Sequence, residues 1–230
     1  MKKLYNTILI LFVLFYSSNL IAGTGPATEY RVTMTKVELC ENGSTTANCL
    51  NALTISPTGT SGAVDIASVN AGAAAGSYGN IAKAKIGTLY TFIQITMSRQ
   101  FTITGTAGNS CATKAGESGT KTADAAGHTG TPGSSTLYVP TGSGTFGNHI
   151  NGSIDSLGAS VSADKTIGNS DEYFQYRKII SGGGLKVKAG DFPTVKIAFD
   201  VSNAVGNSGA TCTNDVMYAN EPGVSISFTD

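Results

Sequence analysis

Cysteine is the residue type in this chain with the most chemistry to offer. Cys40 and Cys49 bracket eight small or polar residues in VELCENGSTTANC, while Cys111 and Cys212 stand far apart. Thiols so placed could hold a metal, cycle between redox states or close disulfides. Zinc needs four ligands at sensible spacing, yet there is no C-x-x-C, and His128 and His149 complete no matching pattern. An even number of cysteines in an exported chain points instead to two disulfides. Of the three possible connectivities, Cys40–Cys49 with Cys111–Cys212 is favoured, because Cys40 and Cys49 flank a polar loop between strands. The long bridge closes about 100 residues and stabilises by about 4–5 kcal/mol in the chain-entropy model; the short one contributes less.

Other groups could do chemistry only in particular company. Gly116-Glu117-Ser118-Gly119 and Gly206-Asn207-Ser208-Gly209 resemble the nucleophile loop of trypsin-like proteases, with His128 upstream of Ser208 and Asp164 or Asp191 between them. A catalytic serine needs a histidine base and a buried acid. Both serines here sit in turn-like text without that context, so a hydrolase is the remote alternative and no catalytic residue is assigned. Asp171-Glu172 lacks the second defined acid of a glycosidase. Asp155, Asp164 and Asp171 lack calcium-loop spacing, so neither a metal nor another cofactor is expected. Asn42-Gly43-Ser44 and Asn151-Gly152-Ser153 match the glycosylation triplet but read first as turns. Tyr78, Tyr138 and Phe146 stand in loop-like text, where aromatic rings could contact a glycan.

The elements that must position these groups follow from the compartment. Met1-Lys2-Lys3 precedes the uncharged run Ile8–Tyr16, and Ala22 offers a small exit residue. That is the pattern of a cleaved signal peptide over 1–22, of bacterial type and too short to span a bilayer. Export to periplasm, cell surface or medium is expected, with no membrane span after cleavage. Without Lys2 and Lys3 the chain holds 13 basic against 15 acidic residues. So balanced a surface has no basic stripe for a phosphate backbone, which argues against nucleic acid as a partner.

The remaining 23–230 read as one antiparallel β-sandwich domain of about nine to eleven short strands. Glycine, threonine and serine are abundant, and there are nine tyrosines, nine phenylalanines and no tryptophan, a balance that favours strands and turns over helices. In YRVTMTKVEL (30–39), Tyr30, Val32 and Met34 alternate, then the phase slips to Val37 and Leu39. Such a slip predicts a bulge, or a strand serving two neighbours. TLYTFIQITMS (88–98) predicts a central strand with Leu89, Ile93, Ile95 and Met97 on one face and Tyr90 and Phe92 on the other. EYFQYRKII (172–180), for which a helix is the alternative, TVKIAFDV (194–201) and VSISF (224–228) predict further strands. Around 105–152 the text turns rich in Gly, Ser and Thr, and only Thr136–Val139 looks able to pair. That region is expected to be a long loop insertion and a variable, partner-facing surface.

The run from Val64 to Met97, VDIASVNAG followed by IGTLYTFIQITM, resembles secreted transthyretin-like or carbohydrate-binding-like sandwich modules, over about residues 30–104. Gly87-Thr88-Leu89-Tyr90 stands where those modules carry their Gly-Thr-Tyr strand. The resemblance implies a surface-located, non-catalytic sandwich. The expected function is a structural or adhesive subunit, of a fibre or surface layer, joined to copies of itself by β-strand addition through a tail at Thr24–Tyr30. A secreted glycan-binding module is the alternative. Lys36 in the first strand and Asn220 before the last resemble the pair that forms an isopeptide bond in collagen-adhesin-type sandwiches.

Overall fold

A computed structural model of the chain describes residues 23–56, 63–67, 81–142, 146, 150–154, 166–190, 194–209, 211–212 and 216–229. The expected leader over 1–22 lies outside them, as do Tyr78, Asp155, Asp164, Asp191 and His149. The described residues form sixteen strands and no α-helix. In chain order these are β1 (Gly23–Gly25), β2 (Ala27–Glu41), β3 (Leu53–Thr54), β4 (Ala63–Asp65), β5 (Leu89–Ser98) and β6 (Gln100–Ala107). Then come β7 (Cys111–Thr113), β8 (Gly127–Thr129), β9 (Ser135–Tyr138), β10 (Ile150–Ile154) and β11 (Tyr173–Ile179). The last are β12 (Leu185–Lys186), β13 (Thr194–Asp200), β14 (Val205–Asn207), β15 (Met217–Ala219) and β16 (Gly223–Thr229).

β2 organises the rest. Its register with β5 passes from Met34↔Met97 to Lys36↔Thr96, so Thr35 is an extra residue. This is a β-bulge, and it reverses which residues face inward. Tyr30, Val32 and Met34 before it and Val37 and Leu39 after it are therefore all buried on one side. The phase slip has both predicted meanings, because β2 also changes neighbours along its length. β6 pairs its first part and β5 its second; β4 and β3 pair it as well. Backbone polarity sorts the edges. Tyr30 turns its groups to Asp65 and Ile66, and Val37 turns its groups to Ile55 and Ser56. Only the extra residue keeps β3 and β4 on one edge and the run β5–Arg99–β6 on the other.

A second irregularity corrects the predicted faces of β5. The register jumps from Cys40↔Phe92 to Glu41↔Tyr90, which leaves Thr91 extra. Tyr90 therefore turns inward with Ile93, Ile95 and Met97 and is fully buried, rather than lying beside Phe92. β11 extends the sheet beyond β5 and β10 lies beyond β11; β7, β8 and β9 continue it past β6, giving an antiparallel sheet of eleven strands. A three-stranded sheet β1–β14–β15 and a two-stranded ribbon β13–β16 complete the set. They enclose one apolar core with the main sheet, in a sandwich-like all-β arrangement.

The 105–152 region departs from the expected loop. It contains β7, β8, β9 and β10 besides the end of β6. Several of its glycines mark close approach rather than turns. A Cβ on Gly105 would sit 2.4 Å from the Pro26 carbonyl oxygen, and one on Gly127 would sit 2.5 Å from Cys111 Sγ. Small residues are what allow these strands to pack.

Both favoured disulfides are present, Cys40–Cys49 and Cys111–Cys212. Two such bridges point to an oxidising compartment. Among the described residues no helix is long and apolar enough to cross a membrane. The sequence separations are 9 and 101 residues. Chain entropy then predicts unequal losses: Cys111→Ser/Cys212→Ser should cost about 4–5 kcal/mol, and Cys40→Ser/Cys49→Ser about 2–3 kcal/mol. Urea unfolding of each variant measures this, and the Cys40/Cys49 variant should retain one cooperative transition.

Candidate functional site

The ribbon β13–β16 stands apart from the two larger sheets. Its strands alternate apolar and small or polar residues, and the pairs Phe199↔Val224 and Ile197↔Ile226 bring apolar side chains together across it. Ile226 is fully buried, while Phe199, Val224 and Phe228 are partly exposed and pack against the core. Among the described residues each strand of the ribbon has only the other as strand partner. β16 is the strand of the ribbon next to β11 and the Ser181–Gly183 turn, and β13 is the strand farther from the main sheet.

The ribbon is pinned to the main sheet at one end. Ala27 N–H donates to Val201 O at 3.0 Å. Tyr30 Oη donates to Asn220 O and Tyr176 Oη to Glu221 Oε1, each at 2.7 Å, with Lys178 Nζ 3.6 Å from the same carboxylate oxygen. Burial, reinforced by the nearby Glu221 charge, pushes both phenols far above their usual range, so they remain protonated donors. Beside this anchor lies a small apolar cleft of about 30 Å³. β2 contributes Tyr30, Val32 and Met34 to it, and the ribbon contributes Phe199 and Val224. Its exposed wall is entirely apolar and offers nothing to a sugar hydroxyl.

Two buried arginines tie strands to loops of the main sheet. Arg99, alone between β5 and β6, donates to the carbonyls of Val139 (Nε, 2.5 Å), Gly168 (Nη1, 2.9 Å) and Lys121 (Nη2, 2.7 Å). Burial lowers its affinity for the proton, and Asp171 and Glu172 partly restore it. Arg177 begins a row that crosses four strands. It reaches Gln94 Oε1 at 2.5 Å, Gln94 Nε2 reaches Glu38 Oε2 at 2.8 Å, and Glu38 Oε1 meets Lys36 and Thr54. Arg177 Nη1 also donates to Thr45 O at 2.8 Å, which ties the Cys40–Cys49 loop to the sheet. Burial pulls this guanidinium down to about 10 against the opposing pull of Glu38. Neither arginine was singled out in the sequence. The one signal was their position inside strongly alternating strand text.

The predicted site residues separate. Phe146 is a core residue, not a surface ring: it is 2% exposed and packs edge-on against Phe101, Phe174 and Tyr176. Its loop-like neighbourhood hid an aromatic needed to fill the core. Tyr138 is half-buried on β9, and its hydroxyl donates to Gln100 Oε1 at 3.3 Å in an exposed setting. Ser118 Oγ donates to Gly119 O, and Ser208 Oγ lies on Asp124 Oδ2; His128 Nε2 faces Thr113 O instead of either serine. Among the described residues no three His, Cys, Asp or Glu side chains could hold a metal ion. Asn42 is exposed in its turn, whereas Asn151 lies in β10.

Lys36 and Asn220 are not brought together. Lys36 Nζ is on Glu38 at 2.5 Å, and the Asn220 side chain donates to Asn203 O at 2.7 Å. The β2 residue that meets Asn220 is Tyr30, about 20 Å along the strand from Lys36. The Thr24–Tyr30 tail is not free either. Gly23–Gly25 pairs with β14, and Ala27–Arg31 pairs with β6. No protein-family model, curated protein or solved structure matches the chain.

Two measurements test this account. Arg99→Ala empties a fully buried side-chain site and strips donors from three carbonyls, that of Val139 buried and those of Gly168 and Lys121 partly so, and should destabilise by about 3 kcal/mol in urea unfolding. Lys121→Ala, which removes exposed contacts to Glu172 and the Ser170 carbonyl, should change stability by less than about 1 kcal/mol. The intact mass of the mature chain should show the hydrogens lost to two disulfides and no loss of ammonia.

Proposed function

We propose that this chain is a non-catalytic exported surface protein, a structural or adhesive subunit of a fibre or surface layer that joins its neighbours by β-strand addition. The observation that carries this reading is the β13–β16 ribbon. It is anchored by tyrosine hydroxyls at one end, bordered by a small apolar cleft, and paired only with itself among the described residues. An unpaired edge offers a row of N–H and C=O groups that another strand satisfies with correct geometry. The joining element is then the ribbon edge and not the Thr24–Tyr30 segment, which the chain uses in its own sheets. Two disulfides and a nearly neutral surface rich in threonine, serine and glycine suit service outside the cell. The likeness to transthyretin-like and carbohydrate-binding-like modules accords with a sandwich that acts through its surface.

One observation favours a second reading, a glycan-binding module. Tyr138 beside the Gln100 side chain pairs an aromatic ring with an amide at a sheet surface, the kind of couple that grips a sugar face and its hydroxyls.

Sedimentation velocity and negative-stain imaging of the mature chain decide between them. Assembly should give species larger than the monomer; a strictly monomeric protein whose binding on a glycan array disappears in Tyr138→Ala would favour the second reading. Deleting residues 23–30 should abolish cooperative folding itself, because it removes β1 and the first turn-to-turn length of β2.

A further inference from the structure

We propose that Asn42 is a self-modification site: the Gly43 backbone nitrogen displaces its side-chain ammonia, and water then converts the neutral amide to an acid at the tip of the Cys40–Cys49 loop. Water is the only co-reactant. As the Gly43 N–H gives up its proton, its nitrogen bonds to Asn42 Cγ. The Cγ–Nδ2 bond breaks, ammonia leaves, and a succinimide ring remains. Water opens that ring at either of its carbonyls. Opening at Cγ gives aspartate. Opening at the main-chain carbon gives isoaspartate, in which the backbone runs through Cβ and Cγ. Nothing is oxidised or reduced. The ring is short-lived in water, so the acid accumulates, and because the change is one-way it records the age of each molecule.

Asn-Gly occurs twice in the chain, at Asn42-Gly43 and Asn151-Gly152, and the fold treats the two differently. Asn42 and Gly43 are exposed central residues of a turn closed by Ser44 N–H donating to Glu41 O at 3.1 Å. Gly43 has φ +91° and Asn42 has no positive φ, which makes this a type II turn. Among the described residues neither the Asn42 side chain nor the Gly43 N–H has a hydrogen-bond partner. Ring closure needs the peptide between them to rotate until Gly43 N stands against Asn42 Cγ. Such a rotation carries a type II turn towards type I with its ends in place. Glycine tolerates φ of either sign and puts no side chain beside the attacking nitrogen. Gly152, by contrast, is paired with Gln175 in the β10–β11 ladder, and Ile150 with Tyr176. Turning the Asn151–Gly152 peptide would break that pairing.

The flanks of the turn are held while its centre is free. Asn42 N–H donates to Leu89 O at 2.8 Å, and Ser44 Oγ donates to Glu41 O at 2.6 Å while accepting from Leu50 N–H at 2.9 Å. Cys40–Cys49 closes the loop, and Arg177 holds Thr45 O. The change is thereby confined to the tip. It adds a negative charge beside Glu41, whose carboxylate already accepts from Asn51 Nδ2 at 2.8 Å and lies 3.5 Å from Lys85 Nζ.

The test incubates the freshly prepared mature chain, disulfides intact, in mildly alkaline buffer made with heavy-oxygen water, beside the same chain reduced and unfolded in urea. Peptide mass mapping reads the change from amide to acid and the heavy oxygen taken up with it, and an isoaspartyl methyltransferase assay reads the isoaspartate. In the folded chain Asn42 should convert at least about tenfold faster than Asn151, the gap between an exposed turn that opens at almost no cost and a paired strand. In urea the two should convert at similar rates. Asn42→Gln, whose longer side chain closes a ring far more slowly, should remove the folded chain's isoaspartate signal. Asn42→Asp should keep a single cooperative urea transition. If folded Asn42 stays an amide and converts only in urea, if Asn151 converts as fast as Asn42 in the folded chain, or if the isoaspartate signal survives in Asn42→Gln, the proposal is overturned.

Discussion

The fold depends on one strand doing two jobs without turning its apolar side outward. β2 is fifteen residues long and pairs with four other strands, β6 and β4 near its start and β5 and β3 near its end. A regular strand of that length would carry the twist of the sheet but could not change its inward parity. The slip from Met34 to Val37 would then push Val37 and Leu39 into solvent. The extra residue at Thr35 resolves this, because two residues opposite one reverse the alternation at the point where the sequence reverses it. Everything that binds β2 inherits the result: β5 and β6 follow one edge as a nearly continuous run, and the second layer covers a face that stays apolar throughout. Arg99 marks the place where that run must turn, and its guanidinium satisfies carbonyls from three separate segments.

A low charge count makes the polar interior more consequential. Arg99, Arg177 and Glu38 are nearly inaccessible, yet each is held by hydrogen bonds or an ion pair. Buried charges persist only when they are so satisfied. The row Arg177–Gln94–Glu38–Thr54 crosses β11, β5, β2 and β3 in register, and a one-residue slip of any strand would separate its partners. It therefore specifies pairing where apolar alternation alone would accept several registers. The same row reaches Thr45, so the loop closed by Cys40 and Cys49 is fastened both covalently and by Arg177.

Much of the architecture was legible in the residues. The strands over 30–39, 88–98, 172–180, 194–201 and 224–228 are present near their expected places, and the cysteines pair as loop position suggested. The errors share a cause. Phe146 sits among glycine, serine and threonine, and local composition says surface, but the core lacked an aromatic between Phe101, Phe174 and Tyr176. Regular alternation through Thr91 puts Tyr90 on the outer face, and the extra residue there turns it inward. Glycines at 105 and 127 looked like turn residues and are instead points of contact, a difference that depends on what approaches them. The candidate site was less visible still. The alternation of β13 and β16 could be read, but their mutual pairing across the intervening β14 and β15, and the cleft beside them, could not.

By itself the sequence determined the local quantities: which runs alternate, where that alternation slips, how many thiols there are to join, and how little charge the surface carries. These are set within a few residues by side-chain periodicity and composition. Only the tertiary structure decided which strands are neighbours, which glycines are contacts, which arginines are enclosed and which strand edges remain. Those outcomes depend on backbone hydrogen bonds and packing between segments up to about two hundred residues apart, as between Tyr30 and Asn220. No local periodicity encodes a partner at that distance, because the same alternating strand can satisfy its backbone against any edge that presents the right face.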